Sequence, residues 1–132
     1  MKANELMIGD WVNYSNNPKK IKGAIDFTIA KDFEPIPLTE EILRANGFRW
    51  TGGGDSTMML ISPYDEVNER YNIYVGLVKK TIEVFVAVPE YRIRDVRKTN
   101  KVSLECCGCY VHKLQHALRL CGLYELADNF KV

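Results

Sequence analysis

Two runs in the middle of the chain alternate with a period of two, and they constrain the fold more than any other feature. Tyr71, Ile73, Val75 and Leu77 alternate with Asn72, Tyr74, Gly76 and Val78; Ile82, Val84, Val86 and Val88 alternate with Thr81, Glu83, Phe85 and Ala87. That period sends successive side chains to opposite faces of a strand, and the β-branched and aromatic content suits a pleated surface. The two runs read as the central strands of a sheet. The joint at Lys79-Lys80 lacks the Asn-Gly or Asp-Gly of a tight hairpin, so a longer loop is expected there.

Shorter strand patterns surround this pair. Leu6 to Tyr14 reads as a strand bent or bulged at Gly9-Asp10. A turn at Asn16-Asn17-Pro18 leads to Ile21, Gly23, Ile25, Phe27 and Ile29, which alternate with mostly polar residues and predict the second strand of a hairpin. Phe48-Arg49-Trp50 and Thr57 to Ser62 read as short strands on either side of Gly52-Gly53-Gly54-Asp55. Tyr91-Arg92-Ile93-Arg94 predicts a further strand, Thr99-Asn100-Lys101 a turn, and Val102 to Cys106 a last strand.

Two helices stand out. Thr39 is a good N-cap, Glu40 and Glu41 suit the positive first turn, Leu38 and Leu43 can form a hydrophobic staple, and Asn46-Gly47 ends the segment. In the second, near residues 110–121, Val111, Leu114, Leu118 and Cys121 form an apolar stripe, and Gly122 supplies the stop. His112, His116 and Arg119 cluster on the other side of that helix, where solvent exposure is expected. Leu123 to Phe130 can add one more turn. The fold class is α+β: a curled, mainly antiparallel sheet with a short helix near 40–46 and a longer C-terminal helix near 110–121, in a single domain over 1–132.

Composition narrows the function classes. The chain has 132 residues, enough for a core without disulfides or a structural metal, and no apolar run long enough to suggest a membrane span. No signal-peptide pattern opens it, so the cytoplasm is the expected compartment and the four cysteines are expected to be reduced. The net charge of +1 conceals a modest asymmetry: residues 1–66 carry 7 basic and 10 acidic side chains, residues 67–132 carry 11 and 7. That difference is too small to mark a nucleic-acid protein by itself.

Five groups of residues are weighed for chemistry. Cys106 and Cys109 have CxxC spacing, with His112 and His116 at i and i+4 on the following helix, a set with zinc-ligand chemistry. Their spacing is short for a structural site, where some twelve residues usually separate the pairs so that two elements close around the ion; buried thiols and two surface histidines explain the same residues. Cys109 near a helix start, with His112 one turn on, has two elements of a thiol nucleophile but no readable oxyanion site. Arg92, Arg94, Arg97, Lys98 and Lys101 form a basic stripe that can follow a phosphate backbone or keep an edge strand soluble. Gly52 to Gly54 lack the following helix a phosphate loop needs, and Glu40 and Glu41 diverge by about 100° on their helix.

Three stretches together resemble a known family. They are Ala3-Asn4-Glu5-Leu6-Met7-Ile8-Gly9-Asp10-Trp11-Val12, Pro35 to Leu43 ending at Asn46-Gly47-Phe48, and Val111 to Gly122. In this order they are similar to small uncharacterised proteins of gut Bacteroides-type bacteria, their prophages and other mobile elements. The resemblance covers both ends of the chain, whereas Thr51 to Glu105 departs from it. It implies a phage-related or mobile locus and no particular activity. The leading expectation is a non-enzymatic accessory or protein-interaction module with a protein partner, or a second copy of itself, and no membrane. A nucleic-acid-binding module using the basic stripe is the second reading, and a zinc or cysteine site at Cys109, His112 and His116 the third.

Overall fold

The computed structural model describes residues 1–52, 56–62, 70–89, 97–104 and 109–132. Its first strand, β1 (Trp11–Tyr14), turns back into β2 (Asn17–Lys20) through Ser15 and Asn16, both at positive φ (50° and 65°). Two successive left-handed residues make the mirror-image turn that matches the twist of a hairpin. The turn therefore lies one residue earlier than the Asn-Asn-Pro signal suggests.

The expected strand over Ile21–Ile29 is not formed. Lys22 N–H (2.7 Å) and Gly23 N–H (3.3 Å) donate to Asp26 Oδ2, and this local cap starts a short helix, α1 (Ala24–Thr28), followed by a 3₁₀ turn at Ala30–Asp32. These hydrogen bonds, with Lys22 foremost, hold the Asp26 carboxyl below the usual range. Strand β3 (Phe33–Glu34) then pairs with β1, completing a three-stranded sheet ordered β2-β1-β3. Leu6, Val12, Ile21, Ala30 and Phe33 form its own small core.

Helix α2 (Glu40–Ala45) forms where the capping signals place it, with Thr39 Oγ1 accepting from Ile42 N–H at 3.3 Å. Leu38 and Leu43 are both buried in the main core, as a staple requires. Beyond it runs a five-stranded antiparallel sheet, β4 (Arg49–Trp50), β5 (Thr57–Ile61), β6 (Arg70–Gly76), β7 (Thr81–Pro89) and β8 (Arg97–Leu104), in simple sequential order. The architecture is thus α+β with two antiparallel sheets rather than one curled sheet.

The central pair is β6 and β7, joined by a four-residue loop, Leu77 to Lys80, in which Lys80 has φ 56°. Thr99-Asn100-Lys101 is not a turn: it lies inside β8, where pairing with Ala87, Val86 and Phe85 overrides its polar composition. The predicted strand at Tyr91–Arg94 lies outside the described residues. Met58, Ile73, Val75, Ile82, Val84 and Val86 face inward onto Leu43, Val111, Leu114 and Leu118. The last three belong to α3 (Val111–Leu120), and α4 (Tyr124–Asp128) closes the core with Ala127 and Phe130 nearby. Hydrogen bonds from Leu38 N–H to Cys109 O (2.8 Å) and from Val111 N–H to Ile36 O (2.9 Å) tie the approaches to α2 and α3 together.

Candidate functional site

The apolar stripe of α3 packs on the five-stranded sheet, as expected, but the opposite side of the helix is not open to solvent. The segment Met7 to Trp11 lies across it. His112 is only 3% exposed, and the side chains of His116 and Arg119 only 20% and 10%. The expectation of surface histidines is thereby corrected, and Asp10 is the reason. This carboxylate is wholly buried, and three donors satisfy it: Arg119 Nη1 on Oδ1 at 2.6 Å, and Met7 N–H (2.7 Å) and His116 Nε2 (2.6 Å) on Oδ2. A carboxylate oxygen accepts, so it is Nε2 of His116 that carries the hydrogen. A buried charge is tolerated when it is paired and fully hydrogen-bonded, and this one is.

Gln115, one residue before His116, completes the clasp. Its fully buried amide accepts from Trp11 N–H at 2.9 Å and donates to Gly9 O and Ala127 O, each at 2.9 Å. One side chain thereby joins the N-terminal segment, α3 and α4. Gly9 has φ +95°, a conformation that favours glycine, and a Cβ there would stand 2.7 Å from Arg119 Nη2, which would have to shift. Farther along, Trp11 Nε1–H donates to Phe130 O (2.8 Å) and Lys20 Nζ to Asp128 O (2.7 Å).

His112 extends this cluster without sharing its hydrogen bonds. It stacks on Tyr110 (6.0 Å, 21°) and meets His116 edge-on (5.6 Å, 83°), and its Nδ1 has no hydrogen-bond partner among the described residues. Burial, reinforced by the neighbouring His116, pushes its pKa down to about 4. The ring is a neutral packing element at neutral pH.

Of the four candidate zinc ligands, Cys109, His112 and His116 are described. Cys106 lies outside the described residues. The Cys109 thiol faces the β6–β7 connection, 3.5 Å from Gly76 O and 3.9 Å from Thr81 O, whereas His116 faces Asp10. Among the described residues no three His, Cys, Asp or Glu side chains converge on a cation position. Burial pushes the Cys109 thiol up, against a weaker opposing effect of Lys80, the reverse of nucleophile activation. Nor does any hydroxyl or thiol among the described residues share a hydrogen bond with His116.

The basic stripe is partly placed. Arg92 and Arg94 lie outside the described residues; Arg97, Lys98 and Lys101 fall in β8, the edge strand. Its register sets Arg97 opposite Pro89 and Lys101 opposite Phe85, whereas Lys98 pairs with Val88, in the alternate set that includes buried Val84 and Val86.

The outer face of that sheet gave no signal in the sequence beyond its period. By register it includes Arg49 on β4, Met59 and Ile61 on β5, Arg70, Asn72 and Tyr74 on β6, and Glu83 and Phe85 on β7. Arg49, Ile61 and Asn72 are exposed, and Tyr74 and Phe85 are half-buried in an edge-to-face pair at 5.9 Å and 83°. Every helical residue of the main core packs with the inner set instead. A separate groove of about 1000 Å³ opens on the inner side, lined by Phe48, Leu60, Tyr71, Leu123 and Phe130 among others, and burial raises the Tyr71 phenol.

No helix among the described residues is long and apolar enough to cross a membrane. Comparison with family profiles, with curated proteins and with solved structures finds no match to this chain.

Proposed function

We propose that the chain is a non-enzymatic accessory module of a phage-derived or mobile locus, acting in the cytoplasm, whose working surface is the outer face of the five-stranded sheet. The locus follows from the resemblance of the Ala3–Val12, Pro35–Phe48 and Val111–Gly122 stretches to proteins of such elements. One observation carries the rest. The residues with the most polar chemistry, Asp10, Gln115, His116 and Arg119, bond one another and the backbone in a clasp, whereas no described helix covers Arg49, Ile61, Asn72 and Tyr74. A sheet with one face on the core and the other free of helices among the described residues has a surface for a partner.

The test is a comparison of immobilised wild type with an Arg49→Glu/Asn72→Glu variant in a bacterial lysate, each first shown to melt at the same temperature. Macromolecules retained by the wild type and lost by the variant are the expected result. An identical retained set, or none, overturns the assignment of that face.

A further inference from the structure

We infer that the groove on the inner side of the five-stranded sheet binds an uncharged, largely apolar small molecule that carries a hydrogen-bond acceptor for the Tyr71 phenol. The site lies on the opposite side of the sheet from Arg49 and Asn72, so it adds to the reading of the outer face and does not depend on it.

The size of the groove is the first argument. Packed interiors leave few voids larger than a water molecule, whereas this opening measures about 1000 Å³, the upper end of the range for ligand pockets. Every residue that lines it is described. Leu60 and Ile73 of the sheet line it together with Phe48 and with Leu123 and Phe130, which flank α4. The wall on the C-terminal side is held in place. The Asn46 side-chain amide donates to Lys131 O (2.9 Å) and Ile42 O (2.8 Å) and accepts from Lys131 N–H (2.8 Å), and Phe130 O accepts from Trp11 Nε1–H (2.8 Å). A site already fixed in its open form loses little affinity to ordering itself. A concave opening of this kind admits a small molecule whole, whereas a second copy could reach it only with a protruding side chain.

The polar groups in the lining select the chemistry of the occupant. Asn46 is committed to the backbone. Glu125 and Lys131, both exposed, give one acid and one base, so the lining carries no net charge and favours neither an anion nor a cation. Tyr71 differs from both. Its backbone N–H donates to Ser62 Oγ at 2.9 Å, but its half-buried phenol has no hydrogen bond among the described residues. Burial raises the phenol pKa, so at neutral pH the group is a protonated donor. An acceptor brought into the groove would satisfy that donor, and an apolar body would cover the rings and aliphatic side chains around it.

Titration with prodan, an uncharged naphthyl ketone whose emission responds to hydrogen bonding at its carbonyl, tests the inference. Saturable one-to-one binding with a blue shift is expected, tighter than that of the anionic dye anilinonaphthalene sulfonate. Ala45→Trp, at an exposed position on the lining, should fill the groove and weaken binding about tenfold or more. Tyr71→Phe keeps the ring and removes only the donor. It should weaken binding about fivefold and move the bound emission further to the blue, a change that altered packing alone does not give. Asn129→Trp, at another exposed lining position, takes the place of Ala45→Trp if the latter lowers the melting temperature. No saturable binding, binding that ignores the tryptophan variants, tighter binding of the anionic dye, or unchanged affinity and emission in Tyr71→Phe overturns the inference. So does a dimer in sedimentation that Ala45→Trp dissociates, which would make a second copy the occupant. The Arg49→Glu/Asn72→Glu variant leaves the groove untouched and should bind the dye as the wild type does, so failure here and failure of the outer face are read separately.

Discussion

The clasp around Asp10 and the outer sheet face hold similar residue types in opposite circumstances. At the clasp, a buried acid is met by an arginine and a histidine at 2.6 Å, and a buried glutamine bonds the backbone on either side at 2.9 Å. On the sheet face, an arginine, an asparagine and an isoleucine meet solvent, beside two rings already in contact with each other. A histidine beside a carboxylate is the usual mark of catalysis, yet here that pair fastens the N-terminal segment to α3. The lesson is that partner saturation, more than residue type, separates structure from function: groups with filled valences hold the fold, and groups facing outward are available for recognition.

Breaking the clasp should have the largest effect. Asp10→Ala leaves Arg119 and His116 buried beside an uncompensated site and should cost about 3–5 kcal/mol in a denaturant melt. A loss below about 1 kcal/mol would show that water reaches those groups and that the clasp is not a buried one. Gln115→Ala strands Trp11 N–H, Gly9 O and Ala127 O, and about 2–4 kcal/mol is expected by the same measurement.

Acid probes the same region more gently. His112 has a folded-state pKa near 4 against 6.5 for an unperturbed ring, so the unfolded chain binds its proton first. Stability from this group is complete above pH 6.5 and is lost as pH falls toward 4. The loss should reach at most about 3 kcal/mol. His112→Gln should flatten that part of the profile of melting temperature against pH; an unchanged slope would assign it to other groups. The smallest effect belongs to the outer face, where Arg49→Glu should shift stability by no more than about 0.5 kcal/mol while changing binding. A large loss of stability there would mean the face is built into the fold, and the contrast with the clasp would disappear.

Much of the fold was legible because local signals agreed with tertiary packing. Thr39, Glu40, Glu41 and Asn46-Gly47 marked α2 at both ends, and the apolar stripe of α3 found the sheet it required. The stretch Ile21–Ile29 failed because its period of two competed with Asp26, whose bonds to Lys22 and Gly23 nucleate a helix; Ile25, counted as a core position, is 80% exposed. Thr99–Lys101 failed for the opposite reason, as eight register pairs with β7 prevail over a local turn preference. The candidate site was the least legible. Helical spacing correctly grouped His112, His116 and Arg119, but a helical wheel cannot say what covers a face. The available signal was Asp10, an acid set between Met7-Ile8 and Trp11-Val12, which needs a cationic partner if the segment packs inward.

The clasp also orders events during synthesis. Gly9 and Trp11 have their partner in Gln115, and Trp11 has another in Phe130, so more than a hundred residues separate the two halves of each bond. A ribosome adding about 5–20 residues per second needs about 5–20 s to bridge that interval. Throughout it, Asp10 stays solvated and the first hairpin cannot dock. The nascent chain therefore has to carry its opening segment unlatched, with Trp11 uncovered, until α3 and α4 emerge to receive it.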